Sequence, residues 1–129
     1  MLKSGILNPH INSLLSRVRH TNTLVIADRG FPSWRGIEIV DISLVDDVPS
    51  VLEVLAAIRA NFNIGRAFMA EEFQTVNSKK NRLAFERALD GTSLLYEPHI
   101  KLKERVPLAI GLIRTGDTMQ YANMVLESA

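Results

Sequence analysis

The run Thr23-Leu24-Val25-Ile26-Ala27 constrains this chain more than any other segment. It is short, apolar, rich in β-formers and free of polar alternation, which fits a strand buried in a sheet. The residues before it read as a helix. Asn8 can cap it and Pro9 suits the first helical position. Ile11, Leu14, Leu15 and Val18 then fall at i, i+3, i+4 and i+7, forming one apolar stripe that stops at Arg19-His20. An amphipathic helix feeding a buried strand is the signature of an α/β domain.

The rest of the chain continues that alternation. A loop rich in Gly and Pro spans 29–36, and Ile37, Ile39 and Asp41 alternate with Glu38 and Val40 as a second strand. Asp46-Asp47-Val48-Pro49-Ser50 starts a helix, with Asp47 or Ser50 as its cap. Ser50 and Glu53 have capping-box spacing, and Val51, Leu52, Val54, Leu55 and Ile58 supply the apolar face. Residues 64–70 read as a strand, followed by a polar stretch holding Glu71, Glu72 and Asn77. A helix is expected over 78–89, with Gly91 just past its end. A weak strand follows over 93–96, then a short basic helix or turn over 100–105. Two closing strands are expected over 108–113 and 121–126, joined by a turn at Thr115-Gly116-Asp117. The expected fold is thus α/β, a single domain over residues 1–129 with a buried β-sheet flanked by helices. Strand order does not follow from the pattern.

Composition narrows the function classes. The chain has 129 residues, 47% hydrophobic and 22% charged, as a globular domain should. Fifteen basic residues against 14 acidic ones leave no strong electrostatic pull toward nucleic acid or anionic lipid. The longest apolar stretches, 24–27, 54–58 and 106–113, are too short to span a bilayer. No signal peptide is read at the start, so a cytoplasmic protein is expected. With no cysteine, thiol catalysis and Cys-ligated metals are excluded. The Gly-rich nucleotide loops, H-E-x-x-H and G-x-S-x-G are all missing. Neither a cofactor nor a metal is expected, since His10, His20 and His99 match no local ligand spacing.

What remains is a set of polar residues at element ends. His20 lies where helix gives way to strand, and histidine as a residue type can give and take protons near neutral pH, although a histidine there also serves as a dipole partner. Asp28 ends an apolar strand, where ligands collect in α/β sheets, yet a turn-capping role fits it equally. His99 follows Pro98, and Lys103 shares its face if the segment is helical; a solvated basic patch is the plainer reading. Tyr121 and Asn123 flank Ala122 and would point the same way in a strand, as an orienting pair or as an exposed sheet face. Glu71-Glu72 could be a general acid/base pair or metal ligands, although adjacent carboxylates in a loop are usually solvated, and Phe31 and Trp34 could pack on a ligand, over the core or against another subunit.

Together these segments resemble the D-ribose pyranase and L-fucose mutarotase family of sugar mutarotases. GILNPHINSLLSRVRHTNTLVIADRGFP is similar to the family's opening, in which a helix leads to a histidine and then to a strand ending in Asp-x-Gly. IEIVDISLVDDVPSVLEVL, MAEEFQTVN and IRTGDTMQYANMVL are similar to the segments that follow, the latter two to their pyranase forms. The resemblance implies cofactor-free exchange between ring forms of a reducing sugar, with D-ribose favoured over L-fucose and a non-catalytic sugar-binding or regulatory module as a further alternative. It implies His20 as proton donor, and Asp28, His99, Lys103 and Tyr121-Ala122-Asn123 as sugar-binding residues. It also implies a homo-oligomer, a pentameric ring or decamer, with sites shared between subunits. The chain departs from the pattern at Asn22, in its 31–36 loop, in its ending and at Arg29. The Arg29 guanidinium could pair with Asp28 and lower its pKa, or recognise an anionic group.

Overall fold

A computed structural model describes residues 1–129. Its elements are α1 (Pro9–Arg17), β1 (Thr23–Ala27), β2 (Glu38–Asp41), α2 (Val51–Arg59), β3 (Ile64–Ala70), α3 (Glu71–Val76), α4 (Lys79–Ala88), β4 (Ser93–Glu97), α5 (His99–Arg105), β5 (Gly111–Arg114) and β6 (Met124–Ser128). The strands form one six-stranded sheet in the order β2-β5-β1-β6-β3-β4. β2, β5 and β1 are mutually parallel, as are β3 and β4, while β6 runs antiparallel to both β1 and β3. Every strand except β6 therefore ends at the same edge of the sheet, and β6 begins there.

Burial explains why β1 lacks alternation. Leu24 and Ile26 enter the larger apolar cluster with Leu14, Leu55, Ile58 and Phe85. Val25 and Ala27 enter the opposite cluster with Phe31, Leu102 and Val106. Both faces are covered, so both sets of side chains are apolar. β3 divides the same way, Ala67 and Met69 to one layer, Phe68 and Ala70 to the other.

The helix starts follow from their caps. Asn8 Oδ1 accepts from the backbone N–H groups of His10 and Ile11, both at 3.0 Å. Ser50, not Asp47, caps α2 in a full capping box with Glu53. Asp47 instead accepts from the N–H and hydroxyl of Thr118.

Three expectations are corrected. The polar stretch after β3 contains a helix, α3, because Phe73 is fully buried there and two carboxylates suit a first turn. The strand expected over 108–113 is only Gly111–Arg114; Leu108 lies in a 3-10 turn after Pro107 and is 82% exposed. The strand expected over 121–126 begins at Met124, since Tyr121 has φ 58°, which breaks a strand. These last two strands do not pair with each other. β1 lies between them, and residues 115–123 cross over its end.

Candidate active site

The shared strand edge gathers the polar residues. Asp28 follows β1, His99 follows β4, and Tyr121 and Asn123 precede β6. They line one cleft of ≈ 410 Å³ with Gly30, Phe31, Pro32 and Gln120. That volume lies in the range of small-molecule sites.

Asp28 and Asn123 form its floor. The Asp28 N–H donates to Asn123 Oδ1 at 2.7 Å, and Asn123 Nδ2 donates to Asp28 Oδ2 at 3.0 Å. Asp28 Oδ1 accepts from the Gly30 N–H at 2.9 Å. Burial pushes the Asp28 carboxyl above its ordinary range, against these hydrogen bonds and with help from the nearby Asp117 charge. Arg29 does not pair with Asp28. Its guanidinium reaches outward to Asp46 at 2.6 Å, because the side chain leaves the loop on the exposed side.

His99 forms one wall. Its ring meets Tyr121 edge-on at 5.1 Å and Phe31 at 6.2 Å. Burial lowers its pKa and the Lys103 charge lowers it further, against the carboxylates of Glu72 and Asp28. A neutral imidazole can both give and accept a proton. Tyr121 and Asn123 do face the same cleft, but through the left-handed turn at Tyr121 rather than through strand alternation.

The remaining expected residues stand elsewhere. Lys103 is half-buried on α5 and acts on His99 by charge without lining the cleft. Ala122 is fully buried in the larger cluster. His20 is exposed, on a turn closed where the Arg19 N–H donates to Asn22 Oδ1 at 2.9 Å. It precedes β1 whereas Asp28 follows it, so about 17 Å of strand lies between them. Within one chain His20 is outside the cleft.

Gln120 lines the cleft without having stood out in the sequence; Phe31 lines it as one of its readings allowed, and Glu72 stands behind it instead of acting as an acid, a base or a metal ligand. Both Glu72 carboxylate oxygens accept from the His99 N–H, at 3.0 and 3.1 Å. No local signal distinguishes Glu72 from a solvated carboxylate, because its partner comes from a different strand's exit.

Three comparisons bear on this cleft. A model of the RbsD / FucU transport protein family matches residues 1–129. The D-ribose pyranase of Halalkalibacterium halodurans is 40% identical over 130 residues, covering 99% of this chain and 97% of that protein. The D-ribose pyranase of Chromobacterium violaceum is 39% identical over 128 residues, with 99% and 97% covered. The structure of Bacillus subtilis RbsD complexed with D-ribose superposes with a TM-score of 0.93 at 29% identity, covering 100% of this chain and 98% of that one.

Proposed function

This chain belongs to the RbsD / FucU transport protein family, and on that premise we propose that it is an isomerase, a sugar mutarotase that interconverts the pyranose and furanose forms of D-ribose. The D-ribose pyranases it resembles over nearly its whole length, and the D-ribose complex of RbsD, favour ribose over fucose. The observation that carries the reading is the convergence of Asp28, His99, Tyr121 and Asn123 on one cleft at the sheet edge.

The chemistry needs only proton traffic. Ring opening takes a proton from the anomeric hydroxyl and gives one to the ring oxygen. The open-chain aldehyde then recloses through a different hydroxyl. No electron leaves the sugar and no covalent enzyme intermediate forms. Asp28 accepts hydroxyl hydrogen bonds with the lone pairs that Asn123 and Gly30 leave free, and its raised pKa keeps it near a usable proton. Asn123 and Tyr121 orient the hydroxyls, while His99 borders the ring.

His20 is the proposed proton donor, reaching the cleft of a neighbouring subunit. Its exposure and its place at the opposite end of β1 support that assignment. A pentameric ring or a decamer would repeat the contact around a closed assembly. Lys103 serves the same site by its charge on His99, and Ala122 by holding the backbone between Tyr121 and Asn123. Cytoplasmic residence is part of the proposal, for a cysteine-free chain that needs no oxidising compartment.

NMR saturation transfer between ring forms of D-ribose tests the reading, with L-fucose in parallel. Faster pyranose–furanose exchange with ribose supports it, and positioned acid–base catalysis should supply about 10²–10⁴-fold. Acceleration with L-fucose alone changes the substrate. Binding without acceleration of any sugar makes the chain a binding module.

A further inference from the structure

We propose that Glu72 is a positioning residue of the cleft, holding His99 against Tyr121 and Phe31 through the backbone N–H on which α5 begins. The proposal rests on the reading of this cleft as the sugar site. Glu72 does not line the cleft.

Sheet register creates the contact. β3 runs directly into α3, and β4 runs through Pro98 into α5. Ala70 at the end of β3 pairs with Glu97 at the end of β4. The two helix starts therefore lie side by side. Pro98 at the head of α5 offers no side-chain cap. Glu72 supplies the missing acceptor from the neighbouring helix, with both of its oxygens on the same N–H. A first-turn carboxylate on α3 is thereby spent on the first turn of α5.

The His99 ring needs such an anchor. Its Nδ1 is buried and has no hydrogen-bond partner in this chain. The ring packs edge-on against Tyr121 and Phe31. Backbone placement at residue 99 thus decides where the imidazole stands. The charged groups around it are Lys103 from the next turn of α5, Asp28 from the end of β1 and Glu72 from α3. The Glu72 charge favours the protonated ring and so offsets Lys103 and burial. The same residue thus holds the His99 backbone in place and partly counters the effect of burial and Lys103 on its ring.

Two variants separate positioning from plain capping. Glu72→Gln keeps a carbonyl oxygen for the His99 N–H and removes the charge. Glu72→Ala removes both. D-ribose binding is measured by calorimetry, the His99 ring titration by NMR and folding by thermal unfolding. Glu72→Ala should weaken ribose binding by about tenfold, Glu72→Gln should recover most of it, and both should move the His99 midpoint to lower pH. A lower unfolding temperature with unchanged ribose binding and unchanged His99 titration overturns the proposal. If Glu72→Ala fails to fold, Glu72→Met, which fills the space but offers no oxygen to the His99 N–H, takes its place, and wild-type ribose binding in that variant overturns the assignment. The titration needs neither sugar nor turnover. It therefore tests Glu72 even if the wild-type chain accelerates no ring exchange, an outcome that counts against the mutarotase reading instead.

Discussion

Asn123 and Asp28 grip each other across 95 residues of sequence, each giving one hydrogen bond and accepting one. The pair ties the end of β1 to the start of β6 and fixes the cleft floor. Asn123 is almost wholly buried. Asn123→Ala leaves the Asp28 N–H and one carboxylate oxygen without partners and should cost about 1–3 kcal/mol of stability. Asn123→Asp keeps the shape but sets a second carboxylate against Asp28. Its penalty should grow as pH rises through the carboxylate range. Urea unfolding of both variants at acidic and neutral pH checks this; equal penalties for Asn123→Asp at both would refute it.

The pH dependence of stability carries a mark of His99. Burial and the Lys103 charge hold its pKa below the ordinary 6.5. Between that lowered value and 6.5, the unfolded chain binds the proton that the folded chain refuses. Stability therefore rises with pH through this window and is lost as pH falls through it. Asp28 acts in the opposite sense at lower pH, since its pKa is raised and the folded chain holds the extra proton. A His99→Gln variant should flatten the slope just below pH 6.5 while leaving the acid limb in place. Denaturation midpoints across a pH series measure it, and an unchanged slope would remove His99 as the cause.

Local chemistry was legible in the sequence wherever the partners were local. Asn8 and Ser50 announce their helices because each cap reaches only a few residues forward. β1 announces itself because burial on both faces leaves no polar position. Asp28, His99, Tyr121 and Asn123 were readable as candidates, but their meeting depends on strand order, which no local pattern encodes. The insertion of β1 between β5 and β6 brings Asn123 to Asp28. The pairing of β3 with β4 brings Glu72 to His99. Tyr121 was misread as a strand residue because its left-handed backbone has no glycine to flag it.

Gly116 should be intolerant of any side chain. A Cβ there would stand 2.3 Å from the Val45 carbonyl oxygen and 2.7 Å from that of Val48. These are backbone atoms, so no rotamer change relieves the clash. The Gly116 N–H also donates to the Pro49 carbonyl at 2.9 Å, pinning the segment that leads to Tyr121 and Asn123. Gly116→Ala should cost about 1–3 kcal/mol and weaken D-ribose binding as that segment shifts. Chemical denaturation and calorimetry read the two effects. Wild-type stability in the variant would mean that the loop yields freely.

His20 gives the sharpest test of a shared site. It is exposed, so His20→Ala should change stability by no more than about 0.5 kcal/mol. Ring exchange should nevertheless be lost while sugar binding is largely kept. Asp28→Asn should also lose exchange, because it alters the cleft floor. The two inactive chains become informative when refolded together. A cleft contributed by the His20→Ala chain is intact, and so is His20 contributed by the Asp28→Asn chain. If one subunit lends His20 to the next, random mixing in equal amounts pairs them at about a quarter of the sites of a closed ring. Exchange should then return to about that fraction of wild type. If each site lies within one chain, every site in the mixture carries one lesion, and the mixture stays as inactive as its parents.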